Sequence, residues 1–478
     1  MSLKSKTING LGWDFSGRFL SQIVGFIISI ILARLLSPND FGILAMINVV
    51  VAIATVFIDF GFGTAIVQKS NIKDEHYSTV FIFNISVGLF LSFILFFSSG
   101  LIAKFYDSEI IKDVGRVMSL IFIINALGSV VRIKLYKEMN FRILSIGGIF
   151  GSLIGGILGM GMAFSGFGVW SLVFQALTSS LLTSTYFFMK SRWVPKIQFH
   201  IQYLKELWAY SSQIFISTMV GVIFGQLDNL VIGKLFPPAT LGYYYRAKSM
   251  ESLIYNYTSA SLLTVLFPSL SSVKDDKFRF NNIIFKTFHI LSYFSFFILG
   301  YLYLVSEDII IMLFGSKWMP SVELFRLLLL SSFVYPFGAL FNSILQSSGN
   351  SKALLKLTII RYSLLIPTYF LLLYFGLKIF LYSFVVLTVI TLIYSIQFIA
   401  KEIRISSLWF YRSILPNILL NIVLTFGIYN SLNIYSAGHF VHFLICTILF
   451  VLLNIVISKV LKIEGFGLII AEFKSLKK

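Results

Sequence analysis

Charged side chains are what this sequence has least of. Only 12% of its 478 residues are Asp, Glu, Lys or Arg, while 57% are hydrophobic and the mean hydropathy is +0.89. A soluble globular chain carries roughly 25% charged residues. The apolar residues come in repeated blocks of about eighteen or more, the length that a helix needs to cross a bilayer. The composition therefore predicts an all-α polytopic membrane protein.

Cysteine and metal-ligand patterns are also scarce. Cys446 is the single cysteine and lies in an apolar run, so no intrachain disulfide can form and no thiolate metal site is expected. The five histidines show no metal-ligand spacing, and no glycine-rich phosphate loop followed by Lys occurs. These patterns exclude ATP hydrolysis by this chain. The sequence predicts no cofactor, apart from H+ or Na+ if transport is coupled to an ion gradient.

Breaks that contain charge, Pro or Gly divide the chain into about fourteen predicted transmembrane helices. The first six form a predicted N-terminal lobe over residues 1–200, and the next six form a C-terminal lobe over residues 201–403. Residues 404–478 hold helices 13 and 14 and a cytoplasmic tail. The loops between the predicted helices are short, so a membrane glycosyltransferase or ligase, which needs a larger loop for its catalytic carboxylates, is the less favoured class.

The 38 Lys and Arg residues are divided unequally between alternate loops, with 25 in one set of loops. The opposite set holds six, namely Arg34, Lys104, Lys112, Lys234, Lys317 and Lys378. Cytoplasmic loops of membrane proteins hold the basic excess. We therefore predict a multi-pass membrane protein with both termini in the cytoplasm. Topology also explains the net charge of +18, so no nucleic acid partner is expected.

An internal repeat has an offset of 200 residues. The segment Ala33 to Gly42 reads ARLLSPNDFG and Gly233 to Gly242 reads GKLFPPATLG. Both copies join the first and second helices of a predicted six-helix group. Because six spans separate them, the copies enter the membrane in the same sense, as in parallel repeats related by an axis along the membrane normal. Two such bundles predict a central cleft.

Three motifs carry a resemblance to a known family. They are LARLLSPNDFGILAM, DFGFGTAIVQKS and QLDNLVIGKLFPPATLGYYYRAKSM. They resemble the polysaccharide flippases (Wzx-type) of the multidrug/oligosaccharidyl-lipid/polysaccharide exporter superfamily. The resemblance implies two six-helix lobes plus two trailing helices, and export of undecaprenyl-diphosphate-linked oligosaccharide for O-antigen, capsule or exopolysaccharide. A polysaccharide polymerase complex is a further partner to test.

Arg361 is the strongest candidate for substrate binding. It lies nine residues after Lys352, or about 13 Å along a helix at 1.5 Å per residue, too deep for easy snorkelling. Charges inside a membrane are costly unless they face a cavity or a partner. The alternative is a structural arginine that caps backbone carbonyls at a kink before Pro367.

Three further charges follow the second copy of the repeat. Lys248 and Glu251 are spaced i,i+3 and could neutralise each other, which would leave Arg246 for a diphosphate. The planar guanidinium of arginine binds phosphate oxygens in bidentate fashion. Arg246 and Lys248 are therefore expected in the cationic cleft, with Glu251 as a candidate for ion coupling or for a salt bridge between lobes.

The remaining candidates lie nearer the helix ends. Asp14 and Arg18 are spaced i,i+4 and could pair on one face, with Arg18 either in the cleft or snorkelled to the interface. Asp59 and Asp228 could bind a coupling H+ or Na+, or could hold a lobe through a salt bridge. We favour the structural interpretation for both.

One alternative function shares the predicted fold. A cation-coupled exporter of small molecules such as drugs is expected to have carboxylates and aromatic side chains in its cleft with little net positive charge. Here the charges within predicted helices are seven basic against five acidic, even when Asp14 and Glu323 are included. This balance favours an anionic substrate.

Overall fold

The protein consists of α-helices joined by short turns in a computed structural model that describes residues 3–255, 266, 269–432 and 438–475. No strand occurs in these ranges. The predicted all-α class is therefore confirmed. The chain divides into two compact units, Met1–Tyr245 and Arg246–Lys478. The predicted lobe boundaries at residues 200 and 403 stay predictions.

The described residues of unit 1 form nine helices and the first part of a tenth. They are α1 (Leu3–Leu35), α2 (Pro38–Asp59), α3 (Phe62–Gln68), α4 (Asp74–Phe105), α5 (Ile110–Met118), α6 (Leu120–Lys137), α7 (Phe141–Phe164), α8 (Val169–Ser191), α9 (Ile201–Leu235) and α10 (Pro238–Tyr255). Helix α10 crosses from unit 1 into unit 2 after Tyr245.

Unit 2 contains the end of α10 and the helices that follow it. They are α11 (Lys277–Leu304), α12 (Ser306–Phe314), a 3-10 turn (Ser316–Trp318), α13 (Pro320–Ser332), α14 (Val334–Ser347), α15 (Ser351–Ile403), α16 (Ser407–Leu432), α17 (His439–Val460) and α18 (Glu464–Ser475). The predicted helices 13 and 14 correspond to α16 and α17.

Eleven helical stretches of the described residues are long and apolar enough to cross a membrane. One of them, Lys352–Ile403, covers two predicted spans, and a shorter apolar helix, Phe19–Leu35, forms the end of α1. The second half of the eighth predicted span, residues 256–265, lies outside the described residues. The protein is a multi-pass membrane protein, and the number of about fourteen spans stays a prediction.

Helix α15 is two helices that meet at Gly376. The backbone there has φ 83° and ψ 179°, outside the helical region and accessible to glycine because it has no Cβ. Arg361 and Ser395, on opposite sides of Gly376, are joined by a hydrogen bond of 3.0 Å. A continuous helix would separate them by about 51 Å. The two halves of α15 therefore lie side by side.

The two copies of the repeat have equivalent helix boundaries. Helices α1 and α9 end at Leu35 and Leu235, and α2 and α10 begin at Pro38 and Pro238. Proline suits the first turn of a helix because its missing N–H would have no partner there. In the first copy a capping box adds to this, since Ser37 N donates to Asp40 Oδ2 (2.9 Å) and Asp40 N donates to Ser37 Oγ (3.3 Å).

The repeated hairpins pack on each other inside unit 1 through two glycines. A Cβ on Gly42 would collide with the carbonyl oxygen of Pro238, and a Cβ on Gly242 would collide with the carbonyl oxygen of Pro38. The contact is reciprocal, as expected for two similar segments related by a two-fold axis. Glycine is required because backbone meets backbone at this point.

A stripe of four glycines brings α7 close to α8. These glycines recur every four residues on one face of α7, at Gly147, Gly151, Gly155 and Gly159. A Cβ on Gly155 would lie 2.8 Å from the backbone oxygen of Gln175 on α8. Small residues permit such close packing of membrane helices. The stripe is therefore part of the packing of unit 1.

Candidate substrate-binding and coupling residues

Arg361 is held between three helical segments of unit 2. Its Nε donates to Ser395 Oγ in the second half of α15 (3.0 Å), and its Nη1 donates to Asn342 Oδ1 on α14 (3.3 Å). Gly338 on α14 lies beside the guanidinium, where a Cβ would make an ordinary van der Waals contact with Nη1 at 3.6 Å. The packing fixes the direction of this side chain.

Both acceptors of Arg361 are neutral. No carboxylate within the described part of the chain lies at ion-pair distance from its guanidinium, and no described acceptor bonds Nη2. Arginine stays charged in proteins because its delocalised guanidinium group is strongly basic. The side chain is partly buried. Arg361 therefore supplies a positive charge that its protein partners orient without neutralising it, which suits an anionic group.

Arg246 is buried against aromatic rings of the same unit. It is 3% exposed, and its guanidinium carbon lies 4.7 Å from the ring centroid of Phe314 and 5.2 Å from that of Trp318. A cation over an aromatic face is stabilised electrostatically, and more so when it is desolvated. These rings at the end of α12 and in the 3-10 turn hold Arg246 in place. Its role with a diphosphate stays a prediction.

The other two candidates on α10 lie close to Arg246 in sequence. Lys248 is partly buried, and Glu251 is 6% exposed. Glu251 is therefore buried, and a buried carboxyl group is costly unless polar partners satisfy it. Coupling to H+ or Na+ is untested for Glu251.

Asp228 forms a hydrogen bond across the second repeat hairpin. Tyr244 on α10 donates its hydroxyl to Asp228 Oδ2 on α9 at 2.5 Å, and Asn229 N donates to Asp228 Oδ1 at 2.9 Å. Asp228 is 8% exposed and Tyr244 is 2% exposed. The equivalent positions in the first copy are Ile28 and Leu44, so this polar contact is specific to the second copy. It joins two helices of unit 1, in keeping with the structural interpretation.

Asp59 caps the short helix α3. Its Oδ1 accepts the N–H of Gly63 at 3.0 Å, across a turn in which Phe60 and Gly61 both have positive φ. A carboxylate at a helix N-terminus satisfies N–H groups that have no intrahelical partner. This contact explains Asp59 as a capping residue. The side chains of Asp14 and Arg18 lie outside the described residues, so their pairing stays a prediction.

The structure also brings together titratable groups that the sequence interpretation did not select. Asp308 on α12 contacts His439 and His442 in the first turn of α17, with Oδ1 3.0 Å from His439 Nδ1 and Oδ2 2.6 Å from His442 Nδ1. The i,i+3 spacing of the two histidines in HFVH was the available signal. Its acidic partner is 131 residues away from His439 and could not be found from spacing. No group of residues that could hold a metal ion was found in the described chain.

A second histidine contact lies at the other end of α17. His289 on α11 is 2.7 Å from Glu464, the first residue of α18, and 3.2 Å from Ser413 Oγ on α16. Between the two histidine contacts, Tyr293 donates to Asn454 Oδ1 at 2.8 Å and Asn454 donates to Asn421 at 2.9 Å. Buried polar groups need such partners in a membrane protein. The trailing helices α16 and α17 are thus joined to α11 and α12 by polar contacts.

The fold and these residues define a class. The protein is a multi-pass α-helical membrane protein in which hydrogen bonds to neighbouring helical segments orient the partly buried guanidinium of Arg361. The family model described as Polysaccharide biosynthesis protein matches residues 31–323. The chain belongs to this family. The resemblance in the repeat motifs is therefore confirmed.

Two curated relatives and one solved structure illustrate the similarity. An "Uncharacterized membrane protein in cps region" of Klebsiella pneumoniae is 26% identical over 376 residues, which cover 77% of this chain and 76% of that protein. The "Succinoglycan biosynthesis transport protein ExoT" of Rhizobium meliloti (strain 1021) is 25% identical over 361 residues, which cover 75% of this chain and 73% of that protein.

The solved structure is that of the lipid II flippase MurJ in an inward closed conformation. The two structures superimpose with a TM-score of 0.75 at 18% sequence identity. The superposition covers 94% of this chain and 98% of the MurJ chain. At this identity the likeness concerns the fold. A solved protein therefore has the same all-α fold.

Proposed function

We propose that this protein is a flippase that moves an undecaprenyl-diphosphate-linked oligosaccharide from the cytoplasmic to the outer leaflet, for the synthesis of O-antigen, capsule or exopolysaccharide. Three findings support the proposal. The chain belongs to the polysaccharide biosynthesis protein family, a relative is named as a succinoglycan biosynthesis transport protein, and the fold is similar to that of a lipid II flippase.

The observation that carries the substrate class is the environment of Arg361. Its guanidinium is oriented by Ser395 and Asn342, and no described carboxylate neutralises it. A diphosphate supplies the negative charge that balances the guanidinium, and the planar guanidinium forms parallel hydrogen bonds with the diphosphate oxygens. The low local dielectric strengthens this attraction, while the prenyl chain stays in the lipid.

The reaction is transport and not bond formation or cleavage. One relative is named as a biosynthesis transport protein and the similar solved structure as a flippase, which supports a transporter. We place the protein in the bacterial inner membrane with both termini in the cytoplasm, on the basis of the unequal division of Lys and Arg between alternate loops. A polysaccharide polymerase is the proposed partner on the product side.

A deletion strain tests the function. Loss of the protein should cause one lipid-linked oligosaccharide to accumulate in the cytoplasmic leaflet and should remove the corresponding surface polysaccharide, and the wild-type chain should restore both. Normal surface polysaccharide with no accumulation would refute the proposal. Loss of resistance to cationic drugs with normal polysaccharide would instead support the alternative of small-molecule export.

A further inference from the structure

The carboxylate of Asp308 has an unusual environment for a membrane protein. Asp308 is 3% exposed, and both of its oxygens contact imidazole nitrogens, at 3.0 Å for His439 and 2.6 Å for His442. We call Asp308, His439 and His442 the Asp–His clasp. The clasp joins the first turn of α17 to the first turn of α12, within unit 2.

The geometry determines where the protons must be. A carboxylate only accepts hydrogen bonds, so each histidine must carry a proton on Nδ1, either as the Nδ1–H tautomer or as the imidazolium ion. The imidazolium ion donates a charge-assisted hydrogen bond, which is roughly twice as strong as a neutral one. The clasp is therefore tightest when a proton is added to its imidazoles while Asp308 stays ionised.

Nearby charged groups do not replace the imidazoles as partners of Asp308. Arg326 on α13 donates to Ser306 Oγ at 2.7 Å and lies 3.8 Å from Glu307, over the rings of Tyr303 and Tyr429. Other titratable groups on the adjoining elements include Lys317 in the 3-10 turn, Glu323 on α13, Tyr301 on α11 and Cys446 on α17. In the described chain, the imidazoles are the hydrogen-bond partners of the Asp308 side chain.

Protons can reach the clasp from outside. The side chain of His439 is 46% exposed and that of His442 is 24% exposed, whereas that of Asp308 is 4% exposed. His439 is thus the most exposed member of the clasp and the group through which we expect protons to exchange, and the buried carboxylate provides the negative charge that holds the proton. The partial positive charge at the N-terminus of α17 attracts the carboxylate of Asp308 and opposes an imidazolium in the same turn, so it is the carboxylate that favours proton uptake by the histidines.

We propose that the Asp–His clasp is a proton-binding site that controls how firmly α17 is attached to α12. Proton uptake tightens the attachment, and proton release as the pH rises loosens it. Histidine is the side chain whose charge changes between about pH 5 and pH 8. The proposal does not depend on the substrate, because it concerns the contact between two helices of unit 2.

The single cysteine provides the readout. Cys446 is 0% exposed, and its Sγ lies 3.6 Å from His442 Nε2. Labelling of Cys446 with N-ethylmaleimide is measured on the purified full-length protein in nanodiscs at about pH 6 and about pH 8. Each rate is divided by that of the denatured protein at the same pH, which removes the effect of pH on the thiol itself and gives a protection factor.

We expect the protection factor to be about tenfold higher at the lower pH, the difference between a charge-assisted and a neutral hydrogen bond. In the double variant His439→Gln and His442→Gln, the amides can still donate to Asp308 but cannot take up a proton. Its protection should not change with pH. Asp308→Asn should abolish the pH dependence as well, because the carboxylate charge is lost.

His289→Gln is the matched control. It removes a histidine that contacts Glu464 at the other end of α17 and should leave the pH dependence at Cys446 unchanged. Equal protection of the wild-type protein at both pH values would overturn the proposal. So would a pH dependence that survives in the double variant while the variant elutes as a folded protein, or a protection that EDTA removes and Zn2+ restores, because a metal ion would then hold the helices.

Discussion

The contact between the two repeat hairpins permits a prediction with a definite sign. Gly42 and Gly242 are the fifth residues of α2 and α10, where each faces the backbone carbonyl group of the opposite proline. The Cβ of Gly42→Ala would also come within 3.1 Å of Pro238 Cα. Backbone atoms in a proline-started helical turn cannot rotate away as a side chain would. The hairpins must therefore separate to accept the methyl group.

Two energies oppose each other in Gly42→Ala. Overpacking in a well-packed interior costs about 1–3 kcal/mol, while alanine is favoured over glycine in a helix by about 1 kcal/mol. Because the collision is with backbone, the upper part of the first range applies, and we expect a net loss of about 1–2 kcal/mol. The reciprocal variant Gly242→Ala should behave in the same way.

Gly100→Ala is the control for helix propensity alone. Gly100 lies within α4, and a Cβ there would meet no atom within 4 Å. This variant should be as stable as the wild-type protein or more stable by up to about 1 kcal/mol. Thermal unfolding of the detergent-solubilised protein measures all three variants. If Gly42→Ala unfolds at or above the wild-type temperature, the hairpins do not pack as described.

Three further predictions concern the topology, the second hairpin and the buried arginine. Tyr244→Phe should lower the free energy of unfolding by about 1–3 kcal/mol, because the buried carboxylate of Asp228 loses a donor, and an unchanged unfolding temperature would contradict this. Arg246→Ala should reduce surface polysaccharide, measured per unit of membrane protein, by less than Arg361→Ala does, because Lys248 stays close by. A reduction equal to or greater than that of Arg361→Ala would contradict this prediction. Reporter fusions should place one set of loops in the cytoplasm and the other outside. If Arg192 and Lys378 lie on the same side of the membrane, the predicted number of helices is wrong. The tested positions are Lys73, Arg192, Lys277, Lys356 and Arg404 inside, and Lys104 and Lys378 outside.

The long helices could be predicted from the sequence because each is a long apolar run, and the helix boundaries of the repeat could be predicted because proline marks them. Pro38 and Pro238 begin their helices, and the break between the predicted eleventh and twelfth spans falls at Gly376. The short helix α3 was not separated from α2, and the short helix α12 was not predicted as a helix. Turns such as Phe60 to Gly61 depend on local backbone conformation, which hydrophobic periodicity does not report.

The environment of the candidate site was less predictable than its residues. The depth of Arg361 marked it as important, but its partners Ser395 and Asn342 are 34 and 19 residues away. Spacing rules detect neighbours three or four residues apart on one helix and not contacts between helices. For the same reason, the sequence did not indicate that Asp308 contacts His439 or that aromatic rings lie beside Arg246.

Translocation by Arg361 variants in the deletion strain tests the central claim most directly. The fraction of lipid-linked oligosaccharide in the outer leaflet is measured by its accessibility to a membrane-impermeant glycan probe in spheroplasts, with protein abundance measured in the same membranes. The matched control is Arg279→Ala, because Arg279 is 75% exposed and lies 3.2 Å from Asp276. This variant should translocate at the wild-type rate.

We expect Arg361→Ala to reduce translocation by about ten- to a hundredfold at normal abundance, the loss of a charge-assisted hydrogen bond. Arg361→Lys should retain part of the activity, because lysine keeps the charge but lacks the planar guanidinium. Wild-type translocation by Arg361→Ala, or a defect explained entirely by loss of the protein from the membrane, would contradict the account and show that Arg361 only holds α14 against α15.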